Sequence, residues 1–232
     1  PIPGPPPARG ARGAAPPPPA ISEYVVLHDL ELDTFAGPEA QVAAIADDIA
    51  YNSHDLDDGL RAELFEIADL RDLPLVGGAI GEVEAAYPKI ELGRLVHEMV
   101  RRIIGALVED LLAETVRRLD VAGPASAADI RGLDAPVAAL SASMAEAEGA
   151  LKGFLFERMY RHDKVNRMTG QARRVVKDLF GHFMANPDNL SDEWREQALQ
   201  KNEAERARVI ADYIAGMTDG YALSIHGRVA RK

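Results

Sequence analysis

The 232-residue chain contains no cysteine. Disulfides and thiolate metal sites are therefore excluded, and any metal ion has to be held by His, Asp or Glu. Long apolar runs are missing too. The best stretch, Ile103 to Leu112, is interrupted by Glu109 and Asp110 and falls far short of the roughly 20 residues that span a bilayer. No membrane role is expected, and the cytoplasm is the expected address. Basic charge is scarce: Lys and Arg number 26 against 37 Asp and Glu, for a net charge of -11 and a pI of about 5.0. Duplex binding calls for the opposite balance, so no duplex-specific nucleic-acid role is expected. One run departs from this, Arg158, Arg161, Lys164, Arg167, Arg173, Arg174 and Lys177. It reads as a solvated basic face or as a patch that neutralises a small polyphosphate.

What is present is ordinary globular material, 47% hydrophobic with a mean hydropathy of -0.14, enough for one good core or two small ones. Pro1 to Ala20 is Pro, Gly, Ala and Arg apart from Ile2. It offers nothing to pack and no signal-peptide core, so residues 1–21 read as a disordered lead-in. A chain opening on Pro1 rather than Met also reads as a piece of a longer protein.

From Pro38-Glu39, a good helix start, the periodicity is helical. Val42, Ile45, Ile49 and Leu56 recur at helical spacing, and Gly59 offers a break. Glu91 to Leu119 is the strongest helix: Leu95, Met99, Ile103, Leu107 and Leu111 form one stripe, and Val96, Val100, Ile104 and Val108 form the next. That double width implies burial against more than one partner. Ala122 to Pro136 reads as a loop, and further helices are expected over Ala139–Tyr160, Val165–Phe183, from Ser191, and over Glu203–Leu223. Period-2 strands are few and there is no internal repeat. The expected fold is all-α, a multi-helix bundle, with one region over 22–120 and a second over 121–232.

The chemically informative segment is Asp47-Asp48-Ile49-Ala50-Tyr51-Asn52-Ser53-His54-Asp55-Leu56-Asp57-Asp58. At about 100° per residue, Asp47, Tyr51 and Asp55 stack on one face, with His54 beside them. A merely wet helix face is usually filled with Lys, Glu, Gln and Arg, whereas this one holds five Asp and no Lys, Arg or Glu between Gln41 and Asp58. Asp is a poor helix-interior residue and neighbouring carboxylates repel one another. A helix that tolerates this is either a solvated face or one that meets a cation through oxygen ligands.

The run from Glu39 to Ala62 that contains this segment resembles the bacterial dGTP triphosphohydrolases of the HD superfamily. Leu151-Lys152-Gly153-Phe154-Leu155-Phe156-Glu157-Arg158-Met159-Tyr160-Arg161-His162 resembles the same family, as does Arg208-Val209-Ile210-Ala211-Asp212-Tyr213-Ile214-Ala215-Gly216-Met217-Thr218-Asp219. The resemblance runs in family order from about Ser22 to Leu223 and corresponds to the C-terminal portion of such proteins. It implies that Asp47 is the last ligand of a His…His-Asp…Asp divalent metal site, for Mg or Mn. By the same resemblance Tyr51 packs on the deoxyribose, Asp55 accepts a hydrogen bond from the 3'-hydroxyl, Lys152 contacts phosphate, and Tyr160 is a second substrate-contacting tyrosine. Asp48, His54 and Asp57 are left as supporting or solvated residues, and Trp194 as core or interface.

The implied activity is hydrolysis of a dNTP at the α-phosphorus, releasing a deoxynucleoside and triphosphate. The implied assembly is a homo-oligomer. The earlier ligands of the metal site have no convincing match: His28-Asp29 reads as a chance pair in a linker. The ligand set is therefore expected to be incomplete and the chain alone inactive. Gly220 is a further departure, standing where an arginine is expected. Two rival readings remain, an HD phosphohydrolase of another nucleotide and a non-catalytic helical subunit for regulation or assembly.

Overall fold

The computed structural model describes residues 17–229. Among them are ten α-helices and no strand, so the all-α expectation holds. The helices are α1 (Pro19–Val25), α2 (Pro38–Arg61), α3 (Pro74–Ala86), α4 (Leu92–Ala122), α5 (Ala127–Arg131), α6 (Ala142–Leu155), α7 (Asp163–Ala185), α8 (Asp192–Leu199), α9 (Glu203–Ala215) and α10 (Asp219–Val229). The lead-in expected over 1–21 lies outside the described residues as far as residue 16, and its last residues, Pro19 to Ile21, open α1.

The chain divides into two compact units, Pro1–Met159 and Tyr160–Lys232, rather than at 120/121. The boundary moves because α5 and α6 are not the start of a new lobe: α6 packs on α2 and α3, and α5 on α2. The first unit is organised around α4, about 46 Å long at 1.5 Å per residue, which packs on both α2 and α3. Its stripe Leu95, Met99, Ile103, Leu107 and Leu111 is buried throughout, each residue contributing roughly 1.5–3 kcal/mol. The second stripe fades along the helix. Val96 is buried, but Val108 is 41% exposed.

Local chemistry sets the ends of these helices. Gly123 takes the left-handed conformation, φ 57°, that closes α4 through its N–H to Leu119 O, a geometry that strains any residue with a Cβ. Asp110, which breaks the apolar run in the sequence, accepts from the Ser141 N–H at 2.8 Å and the Ser141 hydroxyl at 2.7 Å. It thereby ties the middle of α4 to the start of α6. The segment expected as one helix over Ala139–Tyr160 is α6 followed by a single π-helical turn, Phe156–Tyr160.

The second unit holds its own core. Val175, Leu179 and Phe183 of α7 pack with Leu190, with Ala198 of α8, and with Val209, Ile210 and Ile214 of α9. Trp194 and Tyr213 flank this core with their rings 5.5 Å apart, the packing role expected of Trp194. The helix expected over Glu203–Leu223 is broken after Ala215: Gly216 caps α9, and the Thr218 hydroxyl accepts the Tyr221 N–H at 3.3 Å to start α10.

Gly59 does not end α2, which runs on to Arg61; its lack of a Cβ makes room for a ring. A Cβ there would overlap the Phe65 side chain, and Phe65 is buried and stacked edge-on against Phe154 at 5.0 Å, so it has nowhere to go. Gly59→Ala is expected to destabilise the fold by about 1–3 kcal/mol through overpacking. Gly105→Ala, inside α4 where a Cβ meets nothing within 4 Å, is expected to stabilise it by about 0.5–1 kcal/mol. Urea unfolding of the two variants gives the opposite signs if this packing is right, and equal shifts refute it.

Candidate functional site

Helix α2 carries three of the five expected site residues, spread over about 80° of one side of the helix. Each four-residue step on a 100° helix overshoots a full turn by about 40°. Asp47, Tyr51 and Asp55 therefore share one side of the helix but turn gradually along it. Asp47 is exposed and Tyr51 is 48% exposed, whereas Asp55 is only 9% exposed. The buried side of α2 runs through Ile49, Asn52, Ser53, Asp55 and Leu56. Val42, the first of the apolar residues at helical spacing, is 38% exposed.

Lys152 comes from α6 and meets α2 directly. Its Nζ lies 3.1 Å from Asp48 Oδ2 and 2.7 Å from Glu148 Oε1. Asn52 Nδ2 donates to the same Glu148 Oε1 at 3.0 Å. A chain of polar groups, Asp48–Lys152–Glu148–Asn52, thus fastens α2 to α6 and sets Lys152 beside the residue next to Asp47. Glu148 and Asn52 were not singled out in the sequence, because nothing local marks two polar residues 96 positions apart as partners. A lysine ammonium has three donors; two are taken by carboxylates, leaving one for an incoming anion.

Burial opposes the Lys152 charge, but the hydrogen bonds and charges of Glu148 and Asp48 outweigh it and raise its pKa above the ordinary 10.5. A raised pKa means that the bridge is complete below the unfolded-state value and is lost as pH climbs through the folded one.

Tyr160 is partly buried, ends the π-helical turn and is the first residue of the second unit. Phe156, within the same turn, is 47% exposed and not core. Arg158 lies 3.2 Å from Asp69 and its guanidinium sits 5.7 Å from the centre of the Phe154 ring. The His28-Asp29 pair is engaged locally, His28 edge-on to Tyr24 at 6.1 Å and Asp29 accepting the Glu31 N–H at 2.9 Å. Gly220 has open space where a Cβ would stand. Among the described residues no three His, Asp or Glu side chains converge as a metal site. Asp47 offers one carboxylate, and the described donors do not by themselves fit a divalent ion, which takes several oxygen or nitrogen ligands.

Over 212 residues, 91% of its length, the chain is 53% identical to the deoxyguanosinetriphosphate triphosphohydrolase-like protein of Parvibaculum lavamentivorans, covering 54% of that protein. It is also 53% identical to the protein of that name in Azorhizobium caulinodans, covering 52% of it, and 48% identical to the one in Caulobacter vibrioides, covering 53%. The chain belongs to the deoxyguanosinetriphosphate triphosphohydrolase-like family. It spans about half the length of the relatives it matches. Residues 138–228 match the family described as phosphohydrolase-associated domain, a match that takes in α6 and nearly all of the second unit. Membership in a hydrolase family and the all-helical fold thus stand together. No helix among the described residues is long and apolar enough to cross a membrane.

Lys152→Met removes the cation from Glu148, whose side chain is 12% exposed, and is expected to destabilise the fold at neutral pH. The penalty should shrink as pH rises past 10.5, since wild type then loses the same bridge. Chemical unfolding of both proteins from pH 7 to 11 checks this. A penalty that stays constant or grows with pH contradicts the bridge.

Proposed function

We propose that this chain forms the sugar- and phosphate-recognising part of a metal-dependent dNTP triphosphohydrolase acting on dGTP-like substrates in the cytoplasm. The observation that carries the reading is the Asp48–Lys152 contact at 3.1 Å. It bridges 104 residues of sequence and sets the candidate phosphate-contacting lysine against Asp48, the residue next to the candidate metal ligand Asp47. In this reading Asp47 supplies one oxygen to a Mg or Mn ion whose remaining ligands are not among the described residues. Tyr51, half-exposed, offers a ring for the deoxyribose and leaves little room for a 2'-hydroxyl. Asp55, held close to the core, accepts a hydrogen bond from the 3'-hydroxyl, and poor access to water strengthens that bond. Lys152, kept charged by its two carboxylates, meets the phosphates with its remaining donor, and Tyr160 is the second substrate-contacting tyrosine.

Hydrolysis at the α-phosphorus would release a deoxynucleoside and inorganic triphosphate. A sugar pocket that excludes a hydroxyl discriminates by sterics and by denying it a partner. Fusing the chain to the complementary half of the Parvibaculum lavamentivorans relative and assaying it with Mn²⁺ tests the proposal. Triphosphate release from dGTP is expected from the fusion, and none from the chain alone. Tyr51→Ala in the fusion is expected to narrow the preference for dGTP over GTP by about tenfold. An unchanged ratio removes Tyr51 from the sugar site, and release by the isolated chain refutes the incomplete ligand set.

The chain is also proposed to self-associate. Val108, Leu112 and Val116 follow one another at four-residue steps on α4 and are 41%, 61% and 55% exposed, an apolar stripe that a second copy would cover. Leu112→Lys is expected to lower the molar mass measured by light scattering without loss of helicity. No change in mass clears this stripe of a role in assembly.

A further inference from the structure

The second unit holds a site that none of the preceding chemistry uses. From Arg158 to Lys177 the sequence sets seven Lys or Arg against a single carboxylate, Asp163, in a chain whose net charge is -11. Helix α7 carries most of them, and it has no buried residue before Val175. The basic half of the helix is therefore not held by a core of its own.

On α7, Arg167, Gln171, Arg174 and Asp178 follow at i, i+4, i+7 and i+11, which at 100° per residue is one stripe. The stripe faces α10, which packs along α7. The carboxylate at its end is already engaged, Asp178 Oδ2 standing 2.8 Å from His226 Nε2. Arg167 and Arg174 form no ion pair among the described residues, and neither do Arg173 and Lys177. Between the two helices lies a recess of about 550 Å³ lined by Arg167, Arg174, His226, Asn166, Gln171 and Leu223, along with Gly170 and Val175, and by no carboxylate-bearing residue.

Two guanidiniums without carboxylates beside neutral amide donors form an anion-binding wall. Arginine matches phosphate oxygens with paired parallel N–H donors. Two turns of helix place the backbones of Arg167 and Arg174 about 10 Å apart. That spacing suits a row of linked phosphates, with charge spread over several oxygens, better than one small anion. We propose that this recess between α7 and α10 binds an oligophosphate group, either free inorganic triphosphate or the phosphate chain of a nucleoside triphosphate. The site is separate from Lys152 and does not depend on the active-site reading.

The test titrates the full chain, without metal, with inorganic tripolyphosphate, with dGTP and with sulfate at matched ionic strength. The readout is the His226 imidazole signal by NMR, assigned with His226→Gln. Tripolyphosphate is expected to move that signal saturably, and sulfate is not. A saturable shift with dGTP as well shows that a nucleoside-bound chain is accepted, and its absence restricts the site to the free anion. Arg174→Gln is expected to weaken tripolyphosphate binding about tenfold, the scale of losing a charged hydrogen bond. Arg173→Gln is the control: it removes the same charge one residue away, about 100° round α7 and outside the lining of the recess, and should change binding less than twofold. Glutamine is a good helix former, so both variants keep the helix. Equal losses in the two variants, or an equal shift with sulfate, would mean diffuse attraction to a basic helix and overturn the proposal. Failure of this test leaves the dGTP hydrolysis assay untouched, because that assay reads a different site.

Discussion

The first unit depends on a cation that is shared. Lys152 lies between a carboxylate of its own helix, Glu148, and one of α2, Asp48. Without it, Glu148 would be a nearly buried negative charge with only the Asn52 amide for company, and desolvated charge is costly when unpaired. With it, two carboxylates, an ammonium and an amide satisfy one another. Apolar packing alone lets helices slide, whereas this set of contacts requires a particular turn of α6 to face a particular turn of α2. Asp47 and Tyr51 of the proposed site lie on the same turns of α2, and Lys152 is part of the bridge, so the polar bridge sets their register while the apolar core supplies most of the stability.

What could be read from the sequence was whatever depends on near neighbours. The buried stripe of α4 shows in residues 95 to 111 because every fourth residue is apolar, and Pro38 announces α2 because proline suits a first turn. The Asp-rich segment was legible as unusual because aspartates are costly inside a helix. The partners of that segment were not. Asp48 looks like one more solvated acid until α6 arrives from 104 residues away, and Gln41, an unremarkable residue in the sequence, accepts the backbone N–H groups of Val137 and Ala138. Such contacts follow from the fold and leave no periodic trace.

The misplaced boundaries have similar causes. Gly, Pro and Ser around residues 122–136 signal an interruption, and there is one, but an interruption between helices is not a division between units. Only packing distinguishes the two, and α6 returns to α2 and α3. The break between α9 and α10 was hidden for the opposite reason. The apolar spacing Ile210, Tyr213, Ile214 and Met217 continues across it, while the Thr218 hydroxyl and Gly216 together end one helix and begin the next.

The gradual turn along Asp47, Tyr51 and Asp55 gives each residue of the face proposed for recognition different surroundings. Residues four apart on a helix stay close in space yet turn steadily, so a row of three cannot offer identical surroundings to a ligand. Here the row passes from open solvent at Asp47, past a half-exposed ring at Tyr51, to near-burial at Asp55. A cation ligand benefits from access to water and to ligands from elsewhere, and a stacking ring from one free side. A carboxylate that reads a single hydroxyl benefits from shelter, where a hydrogen bond competes with less solvent. The gradient of exposure along α2 matches those three requirements in that order, and it is on this ordering that the recognition chemistry proposed for this helix rests.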